Sequence, residues 1–119
     1  MPIRSLSSAV LRWPGRDEVL AAARRWAESL RNRDPHVAAV YCVGSYARGD
    51  WGVGSDLDVI VLLASGAPAM SSVVRRERYE PREVPVPADV WVYTPAEWEA
   101  LAEGAPHVMR RVGREQVDL

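Results

Sequence analysis

HVAAVYCVGSYARGDWGVGSDLDVIVLLA, residues 36–64, is the stretch that decides the fold. His36 to Val43 reads as an apolar strand that ends at Gly44. Asp56 to Ala64 reads as a second strand, hydrophobic on both faces, which is expected to be central in a sheet covered on both sides. The connection holds four glycines, Gly44, Gly49, Gly52 and Gly54, and Ser45 to Arg48 within it has room for one short helical turn. Side chains alternate along a strand, so Asp56 and Asp58 are expected to share one face while Leu57 and Val59 take the other.

Outward from this segment the elements alternate. Upstream, after an ambiguous start from Ser5 to Trp13, Asp17 to Arg33 places Val19, Leu20, Ala23, Trp26, Ala27 and Leu30 at helical spacing. Asp34-Pro35 stops that helix, because a residue before proline is pushed out of the α region. Downstream, Ala69 to Tyr79 is a short helix, followed by a proline-rich passage and a third strand at Ala88 to Tyr93. Thr94, Pro95 and Glu97 form a helix start signal, with Thr as N-cap, Pro at the first helical position and Glu at the third. Gly104 to Leu119 is expected to add one or two more helical turns and a terminal extended piece. This order predicts an α/β (α+β) fold, a small mixed sheet of three to five strands with helices packed on it, as a single domain over residues 1–119.

Composition narrows the chemistry. All 15 basic residues are arginine, which excludes a Walker A loop, Schiff-base catalysis and pyridoxal-phosphate enzymology. A net charge of -1 supplies no global field for phosphate neutralisation, so nucleic acid is an unpromising partner. Cys42 stands alone, and with His36 and His107 beside it a four-ligand zinc site is hard to build. The thiol is expected to be a small buried hydrophobe, reduced in a cytoplasmic protein. Residues 1–15 are too weakly apolar for a signal peptide, and the run Val59 to Ala64 falls far short of the roughly 20 residues a membrane helix needs.

Two acids at the head of an apolar strand are costly unless a positive group joins them, and a divalent cation is the economical partner. An oxygen-only ligand set favours Mg²⁺ or Mn²⁺ over zinc. Gly44 permits close backbone approach, and Ser45 offers a hydroxyl beside free amide groups, a geometry suited to phosphate. Arg48, about one turn on, is a candidate phosphate ligand, its bland alternative being a surface pair with Asp50. Ser55, placed with the nucleotide-binding positions, is expected to cap the turn before Asp56 through its hydroxyl. Asp89 opens the third strand and is expected to join the other two carboxylates if that strand neighbours theirs. Together these make a two-metal site for nucleotidyl transfer. Trp51, in the glycine-rich loop, is expected to be exposed near the nucleotide or a partner.

Gly44-Ser45, ten intervening positions and then Asp56-Leu57-Asp58 resemble the nucleotidyltransferases of the DNA polymerase β superfamily. The fuller run GSYARGDWGVGSDLDVIVL is similar to that of the minimal nucleotidyltransferase (MNT) domains. The resemblance implies a polymerase-β-like fold, Mg²⁺ held by Asp56 and Asp58, and ATP or another NTP bound near Gly44 and Ser45. It further implies that Asp89 is the third carboxylate, completing the metal site and acting as general base. Larger members carry a helical domain that grips the acceptor, so acceptor recognition is expected to come from a partner or from self-assembly into a homo-oligomer. The resemblance points to a helical HEPN-family partner in a toxin–antitoxin pair, the MNT member transferring AMP to a tyrosine of the toxin. A binding module that neutralises the partner by occlusion is the alternative, as is a nucleotidyltransferase acting on a small molecule.

Overall fold

The computed structural model describes residues 13–119; the ambiguous stretch beginning at Ser5 lies, up to residue 12, outside the described residues. The first helix, α1 (Arg16–Arg33), buries Val19, Leu20, Ala22, Ala23, Trp26, Ala27 and Leu30, the apolar stripe read from the spacing. Acidic Asp17 and Glu18 lie in its first turn and Arg31 and Arg33 in its last, matching the helix dipole at both ends. Asp34 terminates it in extended conformation.

Strand β1 (Val37–Val43) runs into α2 (Ser45–Arg48), a single turn, and then through the loop to β2 (Leu57–Leu63). Helix α3 (Ser72–Tyr79) is shorter than expected at its start, because Ser71 caps it by accepting from the Val74 N–H. Strand β3 (Ala88–Tyr93) leads into α4 (Pro95–Gly104), whose entry is the capping box read in the sequence. The Thr94 hydroxyl accepts from the Glu97 N–H at 3.2 Å, and the Glu97 carboxylate accepts from the Thr94 N–H at 2.8 Å. The tail is more ordered than its composition suggested: α5 (Pro106–Glu115) is a ten-residue helix and β4 (Val117–Asp118) a short strand.

The sheet is mixed, in the order β3-β2-β1-β4. β2 lies antiparallel to β1 and parallel to β3, which makes it central as its two-sided hydrophobicity requires. Alternation then gives the sheet two unlike faces. Val40 and Cys42 of β1, Leu57, Val59, Val61 and Leu63 of β2, and Val90 of β3 join the buried stripe of α1 in one core cluster. Fully burying such side chains stabilises the fold by about 1.5–3 kcal/mol each. On the opposite face Asp58 and Asp89 are direct register partners, as are Ile60 and Trp91, and Leu62 and Tyr93. Helices α4 and α5 contribute no fully buried residue.

Candidate functional site

The site begins where β1 gives out. Gly44 adopts φ +76°, a conformation that favours glycine. A Cβ at this position would also run into the Asp58 carboxylate, so backbone freedom and space demand glycine together. The chain then makes the one-turn α2, whose placement is set from below. Tyr46 is wholly buried, and its hydroxyl accepts from the Trp13 indole N–H at 2.9 Å. Arg16 donates to the Tyr46 and Ala47 carbonyls at 2.6 and 3.3 Å, satisfying the C-terminal end of the turn. A second anchor is Trp51, which stacks on Tyr46 with ring centroids 5.7 Å apart and an interplanar angle of 7°. Trp51 is therefore half-buried against the core rather than exposed in the loop, and it does not border the cavity described below.

The loop returns under the control of Ser55. Its hydroxyl accepts from the Gly52 N–H at 2.8 Å and its own N–H donates to the Gly52 carbonyl at 3.0 Å. These bonds close the turn before Asp56, and Ser55 itself stands outside the cavity lining. Leu57 N–H then donates to the Pro87 carbonyl at 2.8 Å, fastening the start of β2 to the entry of β3.

Gly44, Ser45, Arg48, Asp56 and Asp58 converge on a cavity of about 790 Å³, a volume of the size that holds small-molecule ligands. Asp56 lies one residue ahead of β2 yet still borders the same space as Asp58. Trp91 and Tyr93 supply another wall from β3, and α5 closes the cavity with His107, Arg111 and Glu115. Sequence reading missed this last wall. The available signal was the spacing of Val108, Arg111, Val112 and Glu115, three or four apart on one helix face, against Arg110 and Arg114 on the other.

Asp89 stands differently. Its backbone is beside Asp58, but its side chain faces a neighbouring groove with Arg75 and Arg76, and Arg76 approaches it at 3.4 Å. It does not border the main cavity. Among the described residues, no three acidic, histidine or cysteine side chains converge closely enough to hold a metal ion. The two cavity carboxylates nevertheless suit a hard cation, since magnesium is commonly bound through one or two carboxylates plus substrate phosphates. Burial holds the Asp58 carboxyl above the usual carboxylate range, and the charges of Asp89 and Asp56 push it further, with Arg48 opposing them. The donor chemistry and the surplus of negative charge thus fit a divalent ion at Asp56 and Asp58.

Arg48 borders the cavity while pairing with Asp50 at 3.0 Å and Glu115 at 3.3 Å. Cys42 is fully buried beneath the site, and burial together with the Asp58 charge pushes its thiol up to about 11, so it is no nucleophile. Tyr93, on the cavity wall, is raised above the ordinary phenol range by burial and by Glu97.

No curated protein matches the chain. The structure is similar to that of a candidate nucleotidyltransferase from Sulfolobus solfataricus, with a TM-score of 0.61 and 22% identity over 87% of this chain and 80% of that one. It is also similar to a chain of a toxin–antitoxin structure with AMP-PNP, at a TM-score of 0.53 and 18% identity over 88% of this chain and 72% of that one. A chain of a mutant MntA-HpeT toxin–antitoxin structure gives a TM-score of 0.55 and 20% identity over 82% and 70% of the two chains. At these identities the likeness concerns the fold alone. The family model described as the nucleotidyltransferase domain matches residues 23–112, a span that runs from α1 through both aspartates into α5. With three-quarters of its length so matched, the chain belongs to the nucleotidyltransferase domain family.

Proposed function

We propose that the chain, acting as one domain, moves an NMP unit, AMP in the first instance, from a nucleoside triphosphate to a hydroxyl and releases pyrophosphate. The observation that carries this reading is the convergence of the Gly44-Ser45 turn, Arg48, Asp56 and Asp58 on one cavity. Gly44 and Ser45 hold the β and γ phosphates, with Arg48 adding paired bonds to their oxygens. Asp56 and Asp58 are the residues that would hold magnesium or manganese. Such an ion, when bound, neutralises charge on the phosphates and on the leaving oxygens. The acceptor oxygen bonds to the α-phosphorus as the bond from that phosphorus to the bridging oxygen breaks, and pyrophosphate leaves with the electron pair. The acceptor proton passes to Asp89, which must first part from Arg76, an exposed pair of small worth.

The acceptor in this reading is a tyrosine of a helical HEPN-type toxin, for which the chain serves as antitoxin. The likeness of the fold to chains of two toxin–antitoxin structures, one of them with AMP-PNP, supports it. Co-expression with the product of the adjacent reading frame, followed by intact-mass and peptide mass spectrometry, tests it. AMP increments on a partner tyrosine, absent with Asp56→Asn, are the expected result. A tight complex with an unmodified partner would replace transfer by occlusion.

A further inference from the structure

Glu115 occupies an unusual position for a helix-ending residue. One of its carboxylate oxygens takes Arg48 Nη1 at 3.3 Å and the other takes Arg111 Nε at 3.0 Å. All three side chains border the cavity that contains Ser45 and the two aspartates. The Glu115 side chain is only 16% exposed although its cationic partners reach 34% and 65%, so the anion is the most enclosed member of the trio. Its location is set by the sheet. Two residues later Val117 pairs with Cys42 in β4, beside the strand that delivers Gly44. The carboxyl is held below the usual carboxylate range chiefly by Arg111, with Arg48 and the Gly44 N–H acting in the same direction against burial.

A carboxylate bridging two guanidinium groups makes the contacts that a phosphate group makes, with charge-assisted bonds to both forks. A triphosphate held by Ser45 and Arg48 would meet this carboxylate as a like charge in the same cavity, and the two anions cannot share the arginines without repulsion. We propose that Arg48 and Arg111 form a two-arginine clamp for the triphosphate, and that Glu115 occupies the clamp as an internal stand-in until nucleotide displaces it. This rests on the nucleotidyltransferase reading of the cavity and adds to it a second phosphate-binding residue and a built-in competitor. Release of Glu115 from the two arginines then couples α5 to nucleotide binding.

A competitor and a scaffold have opposite signatures. Calorimetric titration with magnesium tripolyphosphate and magnesium ATP at low ionic strength is the test, with thermal melts to verify folding. Glu115→Gln is expected to tighten both ligands about three- to tenfold by removing the competing charge, and Arg111→Gln to weaken both about tenfold. Glu115→Asp, one methylene shorter and unable to span both guanidiniums, is expected to tighten them by less. It carries the test if the glutamine variant does not fold. Weaker or unchanged binding by the Glu115→Gln variant, or by Glu115→Asp where the glutamine variant does not fold, would overturn the clamp, as would Arg111→Gln binding like the wild type. If the wild type binds ATP and transfers label while those results hold, the clamp alone falls. If it binds neither ligand and transfers nothing, the nucleotide reading falls with it.

Discussion

Asp34 and Asp58 are both carboxylates withdrawn from bulk water, and the molecule treats them in opposite ways. Asp34, 3% exposed at the end of α1, accepts from the Tyr79 hydroxyl at 2.7 Å, the His36 N–H at 2.9 Å and Arg78 at 3.3 Å. Burial alone would push its carboxyl up, but these three bonds outweigh it and hold it below the usual range. Asp58 faces the cavity with Asp56 and Asp89 as its electrostatic neighbours, and its carboxyl is held up. The first acid fastens helices to the sheet. The second lines a cavity with two acidic neighbours and only Arg48 to oppose them, the arrangement of a group that awaits a ligand.

The largest separation between the two comes from activity. Asp58→Asn is expected to lower nucleotide transfer by about 10³-fold or more, since in the proposed function it removes a cation ligand, while leaving the melting temperature unchanged or raised. Labelled-ATP transfer and differential scanning calorimetry check both halves. A variant that keeps full activity would move the chemistry elsewhere. The opposite outcome is expected beneath the other face of the sheet, where Trp26→Ala costs about 3–5 kcal/mol of stability through a cavity in the α1 core. Activity per folded molecule, measured after urea titration, is expected to persist.

A smaller and sharper effect concerns pH. Because the folded-state pKa of Asp34 is depressed, its contribution to stability is present above the ordinary aspartate value of about 4 and is lost as pH falls through the depressed folded value. Asp34→Asn is expected to cost about 1–3 kcal/mol near neutral pH and to flatten the acid side of the stability profile. The sign reverses for Asp58: its raised value makes the charged form a burden that appears as pH rises through the folded value. Denaturant midpoints measured from acid to neutral pH separate the two, and parallel profiles for Asp34→Asn and wild type would contradict the assignment.

Much of this contrast was legible beforehand. The α1 stripe, the central character of β2, the Thr94 capping box and the Gly44-Ser45 to Asp56-Asp58 spacing are local patterns, and each has a local physical cause. The parallel pairing of β2 with β3 and the pairing of β4 with β1 join distant segments, and no periodicity encodes which strand edges meet. The α5 wall escaped for the same reason, since Glu115 meets Arg48 across 67 positions. Asp89 shows the limit most plainly. Its strand lies where expected, but its carboxylate lies 3.4 Å from Arg76 of α3 and borders the next groove, a contact between distant segments that no local pattern announces. Trp51 was misread because a loop position said nothing of the Tyr46 ring beneath it.

The central claim is that Asp56 and Asp58 together bind a divalent ion at the cavity. Electron paramagnetic resonance of Mn²⁺ titrated into the protein with ATP tests it most directly. Immobilised manganese in the wild type, lost in Asp58→Asn and in Asp56→Asn but retained in Asp34→Asn, is the expected result. Equal binding by wild type and the Asp58→Asn variant would contradict it.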